Sequence, residues 1–239
     1  MDAANTEPVN AEQERIRSVY QQWTAGAAMT QYAWHRPEIL QQLAARARTL
    51  APLLAGALGT DLSTARMLDV GCGTGAFLRQ LIAWGADPAK LIGTEFLADR
   101  LEHARRHTAA GVHWHLGGLD CAASGSLDLA AAETVFSSIL DADLRRALAA
   151  DMWRAVKPGG WCMVFDFRYD NPRNPNVRKV TRREMRQYWP GQQTHYRTLL
   201  LAPPIARRLA RAPYLATELL AALLPPLRSH FIFMARKPG

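Results

Sequence analysis

The 239-residue chain has few cysteines and no long apolar segment. Its three cysteines, Cys72, Cys121 and Cys162, are far apart and odd in number, which argues against a disulfide framework and favours a reducing compartment. No uninterrupted apolar run reaches about 18 residues, and the chain does not begin with the charged and then apolar order of a secretory signal. We therefore expect a cytoplasmic protein without a membrane-spanning helix.

A convincing pattern of metal ligands is also missing. Four histidines fall between residues 103 and 115, but His113 and His115 alternate on one face of a short predicted strand. No carboxylate or cysteine ligand follows them at a suitable spacing. We therefore expect no bound metal.

Acidic residues are outnumbered, with 21 Asp and Glu against 29 Lys and Arg, which gives a formal net charge of +8. The excess lies mainly in residues 168–211, where eleven basic residues stand against two acidic ones. Such a surplus would attract an anionic substrate or surface. A solvated basic face without a partner explains it equally well.

The most informative stretch is MLDVGCGTGAF, residues 67–77, in which a short apolar run and an acid precede three glycines. A strand, a glycine turn and a helix start together place backbone N–H groups around one point. Because Gly71, Gly73 and Ala76 satisfy the dinucleotide pattern GxGxxG/A, a nicotinamide or flavin cofactor is one interpretation. Asp69 would repel a pyrophosphate but attract an ammonium group, so the stretch favours S-adenosylmethionine. A turn that binds no ligand is the third interpretation.

A second acid is predicted to lie beside this loop. Residues 90–96, KLIGTEF, have the pattern of a strand, and Glu95 stands at its end. In a right-handed crossover, neighbouring parallel strands end side by side at the carboxyl edge of the sheet. We therefore expect Glu95 to accept both ribose hydroxyls and Phe96 to lie against the purine.

The remaining pattern predicts a single α/β domain. Helical periodicity covers residues 13–25, 32–54, 97–111 and 141–156, and strands are predicted at 112–117, 127–135, 161–167, 195–202 and 229–237. Strands that alternate with helices indicate a parallel sheet covered on both faces. We expect residues 1–12 to be a flexible tail, 13–239 one domain, and 13–55 an N-terminal helical cap. The aromatic residues of this cap, Tyr20, Trp23, Tyr32 and Trp34, together with His35, form either a lid over the loop or ordinary core packing.

Residues 66–167 resemble the class I S-adenosylmethionine-dependent methyltransferases. The resemblance rests on LDVGCGTG, on the acid in IGTEF, on the turn after the fourth strand and on VKPGGW before an apolar strand. It implies a doubly wound, mostly parallel seven-stranded sheet in the order 3-2-1-4-5-7-6, and S-adenosyl-L-methionine as cofactor. It also implies the cofactor residues of the chain, which are Asp69, Gly71, Cys72, Gly73, Gly75, Glu95, Phe96, Gly118, Leu119 and Glu133.

One part of the chain departs from the family pattern. Where the family usually has Gly-Asp after the third strand, this chain has Gly117, Gly118, Leu119 and Asp120. Either Asp120 turns inward to the adenine, or the Leu119 backbone and stacking hold the adenine alone. Weaker cofactor affinity is expected in both cases.

The C-terminal third is expected to bind the acceptor. Residues 168–180 have the composition of a loop that leaves the carboxyl edge. Residues 203–227, with a helical pattern broken at Pro213, are predicted to be a helical insertion between strands 6 and 7. This insertion would serve as a substrate lid, as a contact with a membrane interface, or as a homodimer contact.

We expect methyl transfer to a small molecule, with a hydroxyl, an amine or an activated carbon as acceptor. A natural product, a sugar and an isoprenoid-linked intermediate all fit, and the acceptor would be anionic or lipid-linked. Asp166 and His195 are the candidate catalytic residues, since a hydroxyl acceptor needs a general base. A nucleic-acid methyltransferase that uses residues 168–211 and a non-catalytic cofactor-binding subunit are the alternatives, although a nucleic-acid partner is disfavoured because no recognition domain is appended.

Overall fold

A computed structural model describes residues 6–24, 33, 35–172, 174–190 and 192–239, with side chains in the first helix described for residues 11–21. The seven strands are β1 Met67–Val70, β2 Leu91–Glu95, β3 His113–Leu116, β4 Leu127–Glu133, β5 Val156–Phe167, β6 Thr194–Leu201 and β7 Arg228–Arg236. The helices are α1 Thr6–Thr24, α2 Pro37–Leu58, α3 Ala76–Ala83, α4 Ala98–Arg106, α5 Ala142–Ala155, α6 Arg182–Tyr188, α7 Pro203–Arg208 and α8 Tyr214–Leu223. Short 3-10 turns cover Pro88–Lys90 and Pro225–Leu227.

The strands form one sheet in the order β3-β2-β1-β4-β5-β7-β6, as the sequence predicts. Strands β1 to β5 are parallel, and β7 pairs antiparallel with both β5 and β6. Strand β6 therefore runs in the same direction as β1 to β5. The carboxyl ends of six strands consequently lie at one edge of the sheet, which is called the carboxyl edge below.

Helices cover both faces of the sheet and bury two apolar layers. On one face α2 and α3 contribute buried side chains that include Leu50, Leu54 and Leu78. On the other face α5 and α6 contribute Met152 and Met185. Strands β1, β2 and β4 are buried along most of their length, as the covered strands of a parallel sheet require.

Strand β5 is longer than the sequence predicts. Residues 157–160, KPGG, have the composition of a helix stop, yet the strand already begins at Val156, directly after α5. The register with β4 shifts between Leu127 and Leu129, so an irregularity accommodates the extra residues. Gly160 fits there because a Cβ atom would lie 2.9 Å from the carbonyl oxygen of Asp128.

The N-terminal helices also differ from the prediction. Helix α1 begins at Thr6, so residues 6–12 are helical, whereas the sequence predicts the first helix from residue 13; the flexible tail over residues 1–12 stays a prediction. Residues 1–5 lie outside the described part of the chain. Helix α2 begins at Pro37, where a proline is favourable in a first turn, and extends to Leu58 instead of Leu54.

No helix within the described residues is both long and apolar enough to cross a membrane.

A buried ion pair joins α5 to α6. The fully buried Arg145 donates to Glu184 at 3.0 Å and to the carbonyl oxygen of Ile139 at 2.6 Å. Glu184 also accepts from Arg178 at 3.1 Å and from the hydroxyl of Tyr188 at 2.8 Å. The pair therefore fixes the helix that covers one apolar layer.

Substitution Glu184→Ala should lower the free energy of unfolding by about 3 kcal/mol, because it leaves the Arg145 cation buried without its partner. Urea unfolding monitored by circular dichroism measures this loss. Glu14→Ala is the matched control, since its ion pair with Arg17 is exposed and should contribute less than about 1 kcal/mol. Equal effects of the two substitutions would contradict the proposed role of the buried pair.

Candidate cofactor and active site

The loop after β1 is shaped by glycines in a backbone conformation that other residues rarely adopt. Gly71, Gly73 and Gly75 have φ angles of 61°, 56° and 81°. A Cβ atom on Gly71 would lie 2.9 Å from a methyl carbon of Val135. The Cys72 N–H donates to the carbonyl oxygen of Thr94 at 2.8 Å and thereby ties the loop to β2.

Glu95 holds the same loop from the end of β2. Its carboxylate accepts from the Gly73 N–H at 2.9 Å, from the Phe96 N–H at 2.8 Å and from the Leu97 N–H at 3.1 Å. A carboxylate has about four lone-pair positions, so one acceptor position remains. The structure thus brings Glu95 to the glycine loop, as the crossover predicts.

Asp69 is a buried carboxylate without a direct partner. Only 3% of the residue is exposed, and it forms no hydrogen bond or ion pair with the described residues. Burial raises its pKa well above the ordinary value, the negative charges of Glu133 and Glu95 raise it further, and Arg46 opposes them. A cation at this point would relieve both effects, whereas a pyrophosphate would add to the repulsion.

Arg46 of α2 enters the site from the side, and sequence reasoning missed it. Its guanidinium forms an ion pair with Glu133 at the end of β4 and a hydrogen bond with Gln80 of α3. The guanidinium carbon lies 5.5 Å from the ring centre of Phe77 and 5.4 Å from that of Phe165. Burial raises the pKa of Glu133, and Arg46 opposes this shift. Nothing in the helical pattern of α2 marks Arg46, because its partners come from other elements.

Phe96 borders a cavity of about 330 Å³ between α1 and the start of α4. Tyr20, Arg100 and Leu116 also line it. The guanidinium of Arg100 lies 4.4 Å from the ring centre of Tyr20. A Cβ atom on Gly73 would lie 2.6 Å from an Arg100 nitrogen, so this side chain covers the glycine loop.

Helix α1 is fastened across the turn that follows β4. Glu12 accepts from the Leu140 N–H at 2.6 Å, and Arg15 donates to the Ser138 carbonyl oxygen. The hydroxyl groups of Tyr20 and Ser138 lie 3.4 Å apart. The helix therefore bridges the β4 end and the α4 start, on either side of the loop.

The predicted aromatic lid is described only in part. Tyr20 lies against Arg100 above the loop, and His35 is exposed. The side chain of Trp23, and Tyr32 and Trp34 altogether, lie outside the described residues.

The segment after β3 leaves the predicted adenine region without an acid. Asp120 is exposed and lies 3.1 Å from Nε2 of His115, so it does not turn inward. Leu119 is buried, and its carbonyl oxygen accepts from Arg154 at 3.0 Å. Gly118 precedes it in the segment that follows β3. The alternative in which the Leu119 backbone and stacking hold the adenine stays a prediction.

Asp166 and His195 occupy positions unlike those of the loop residues. Asp166 is completely buried, and it accepts from the Ser137 N–H at 3.0 Å and the Phe167 N–H at 2.8 Å. Burial raises its pKa to about 6. His195 lies level with Asp69 in the sheet but four strands away, which corresponds to roughly 19 Å at the usual strand spacing. Its ring stacks on Trp161 at 5.3 Å.

Within the described part of the chain, no group of three or more His, Cys, Asp or Glu residues is placed to hold a metal ion.

Comparison with known proteins matches residues 67–160 to the family model of the methyltransferase domain. Residues 67–160, less than half of the chain, are thus similar to the methyltransferase domain, and the seven-stranded sheet has the fold of the class I S-adenosylmethionine-dependent methyltransferases. The matched segment contains the glycine loop, Glu95, Glu133 and the beginning of β5. A comparison with curated proteins gives no match.

Solved structures share the fold of this chain at low identity. An S-adenosylmethionine-dependent methyltransferase from Mesorhizobium loti is 19% identical, with 78% of this chain and 96% of that chain covered and a TM-score of 0.57. A putative methyltransferase in complex with the Haloferax volcanii Trm112 activator is 15% identical, with 91% and 97% covered and a TM-score of 0.60. Geranyl diphosphate C-methyltransferase from Streptomyces coelicolor A3(2) is 15% identical, with 80% and 77% covered and a TM-score of 0.58.

The residues around the loop fit the cofactor that this family uses. The positive φ angles favour glycine in the loop at the end of β1, so the loop itself places no side chain over its backbone N–H groups at these three positions. Asp69 offers an unpaired carboxylate, and Glu95 has an acceptor position left. The set therefore combines acceptors for an ammonium group and for hydroxyl groups at one edge of the sheet.

Substitution Asp69→Asn should make the ligand-free protein more stable relative to the wild type as the pH rises above about 4. Because the folded pKa of Asp69 is raised above its unfolded value near 3.8, the native state binds more protons between the two values, and wild-type stability falls with rising pH. Urea unfolding of both proteins at several pH values measures the difference. A difference that does not change with pH would show that Asp69 is not held in an unfavourable charged state.

Proposed function

We propose that this protein transfers the methyl group of S-adenosylmethionine to a small-molecule acceptor at the carboxyl edge. The observation that carries the proposal is the buried, unpaired carboxylate of Asp69 between Glu95 and Glu133. Such a cluster of negative charge suits a ligand with an ammonium and a sulfonium group and rejects a pyrophosphate. It therefore supports this cofactor over a nicotinamide dinucleotide.

The proposed roles follow the position of each residue. Asp69 binds the ammonium group, and Glu95 accepts from a ribose hydroxyl with the one acceptor position that the loop leaves. Phe96 and Leu119 enclose the adenine. Arg46, which Glu133 holds at the same edge, pairs with the carboxylate of the methionine part.

The glycine loop and the segment after β3 complete the proposed binding site. Gly71, Cys72, Gly73 and Gly75 contribute backbone surface without large side chains next to the ligand, and Gly118 does the same beside the adenine. The Cys72 thiol is buried and its pKa is raised by that burial and by the charges of Asp69 and Glu95. We therefore assign it packing and no nucleophilic role.

The bound cofactor would supply a methyl group that is already activated towards nucleophiles. The chain then has to hold the acceptor in line and exclude water, a positional effect of up to ~7–11 kcal/mol in favourable cases. The rings of Phe77 and Phe165 form apolar walls near Arg46. We propose that these walls border the methyl group.

We propose that the acceptor is an amine or an activated carbon, because these need a general base less than a hydroxyl does. Asp166 is sealed in the core and bonded to two backbone N–H groups, and His195 lies on the far edge strand. Both remain predictions as catalytic residues, but their surroundings favour structural roles. The C-methyltransferase among the structural neighbours supports a carbon acceptor by analogy of fold only.

A nucleic-acid acceptor is the weaker alternative. Several basic residues of 168–211 are engaged within the chain, since Arg178 pairs with Glu184, Lys179 pairs with Asp170, and Arg182 stacks on Tyr196. A continuous free basic track is therefore not formed by them. A non-catalytic cofactor-binding subunit is the other alternative, because Asp166 is bonded to two backbone N–H groups and His195 lies on the far edge strand.

Substitution Asp69→Asn should weaken S-adenosylmethionine binding by about 100-fold, because it removes the buried negative partner of the ammonium group. Equilibrium dialysis with labelled cofactor measures the affinity. Asp151→Asn is the matched control, since Asp151 is exposed on α5 and should leave the affinity unchanged.

The outcomes separate the alternatives. No binding of S-adenosylmethionine by the wild type, or binding of NAD instead, would contradict the proposal. Binding without methyl transfer to any amine or carbon acceptor tested by mass spectrometry would favour the non-catalytic subunit. Transfer to RNA or DNA that weakens with added salt would favour the nucleic-acid alternative.

A further inference from the structure

Helix α8 presents a row of leucines to solvent. Leu215, Leu219 and Leu223 are 69%, 51% and 75% exposed, and they stand at i, i+4 and i+8 on one face. Leu224, at the end of the helix, is 46% exposed. Four large apolar side chains so close together on a free surface are unusual for a protein that contacts only water. They are called the leucine face below.

The opposite face of α8 is the one that packs on the protein. Thr217 is buried and donates to the carbonyl oxygen of Tyr214. Arg48 of α2 donates to the Tyr214 hydroxyl at 2.8 Å and to Glu218 at 3.2 Å. Glu218 is the only acidic residue of α8, and this pair neutralises its charge. The leucine face is therefore free of net negative charge.

Three arginines precede the leucine face in the chain. Arg207 and Arg208 end α7, and Arg211 lies between α7 and α8. All three are exposed. Their guanidinium groups form no hydrogen bond or ion pair with the described residues, although the charge of Arg207 helps to lower the pKa of Glu38. An apolar row directly after three exposed cations in the chain suits a surface that is apolar below and anionic above.

The position of α8 connects it with the carboxyl edge. Strand β6 ends there at Leu201, and the segment of α7 and α8 follows directly. Arg228 donates to the Ala221 carbonyl oxygen at 2.7 Å, and the Tyr169 hydroxyl donates to the Pro226 carbonyl oxygen at 2.9 Å. The leucine face is thus held on the same side of the molecule as the glycine loop.

We propose that the leucine face and its three arginines dock this protein on an anionic lipid membrane. The leucines enter the boundary between headgroups and acyl chains, while Arg207, Arg208 and Arg211 pair with lipid phosphates. A second copy of the chain is the less suitable occupant, because a two-fold contact brings the same arginines of both copies towards each other. The proposal does not depend on methyl transfer.

Cosedimentation of the full chain with lipid vesicles tests the docking. Vesicles of equal phosphatidylcholine and phosphatidylglycerol should bind the protein at least about tenfold more tightly than vesicles of phosphatidylcholine alone. The triple substitution Leu215→Ser, Leu219→Ser and Leu223→Ser should weaken binding at least about tenfold, because it removes the apolar contact. Reversal of the three arginines to glutamate should do the same.

A matched charge control distinguishes docking from general attraction. Arg105→Glu, Arg106→Glu and Arg186→Glu change the same number of exposed arginines elsewhere, so this variant should bind nearly as the wild type does. Circular dichroism of every variant checks that the fold is kept.

Four results would overturn the proposal. They are no binding to anionic vesicles at low salt, undiminished binding by the serine variant, equal losses in both arginine variants, and a wild-type dimer in sedimentation that the serine variant abolishes. The last result would identify a second copy as the occupant.

Discussion

The site depends on one electrostatic constraint, which is the placement of Asp69 in the core beside two further carboxylates. The parallel sheet creates this constraint, because β1, β2 and β4 all end at the same edge and deliver Asp69, Glu95 and Glu133 to it. Glu95 is stabilised by three backbone N–H groups and Glu133 by Arg46. Asp69 forms no such hydrogen bond or ion pair with the described residues, and only the charge of Arg46 opposes the rise of its pKa.

The other elements of the site surround the buried carboxylate of Asp69. Arg46 reaches in from α2, and Arg100 covers the loop from α4 under the ring of Tyr20. Helix α1 is bonded to the turn after β4 by Glu12 and Arg15. A ligand that neutralises Asp69 would therefore stabilise the sheet edge and the helices that enclose it. Local instability is common where a protein must bind a charged ligand.

Much of the fold could be predicted because its signals are local. The glycine loop, the acid at the end of β2 and the alternation of strands and helices all lie within short windows, and the handedness of the crossover converts them into neighbours in space. The composition of residues 157–160, KPGG, predicts a helix stop ahead of the strand. These residues nevertheless belong to β5, because an irregular pairing with β4 accommodates them. Helix α1 begins earlier than the sequence predicts, because the hydrogen bond between Glu12 and the Leu140 N–H holds its first turns.

The contacts of the site that come from distant parts of the chain could not be predicted. Arg46 is 87 residues from Glu133, and no periodicity relates them. Asp166 lies at the carboxyl end of β5, as the sequence predicts. The pleat of the strand sets which face its side chain occupies, and that face is buried against the turn at Ser137. His195 has a suitable side chain but lies on a strand that the sheet order places at the far edge.

The most direct test of the central claim is the proton balance of cofactor binding. Calorimetric titrations with S-adenosylmethionine near pH 6, in buffers of different ionisation enthalpy, count the protons released. Because Asp69 is protonated more readily than an ordinary aspartate, binding of the cation should release protons in the wild type, and Asp69→Asn should abolish the part of the release that Asp69 contributes. Binding without proton release, or with the same release in the Asp69→Asn variant, would contradict the claim that this carboxylate receives the cation.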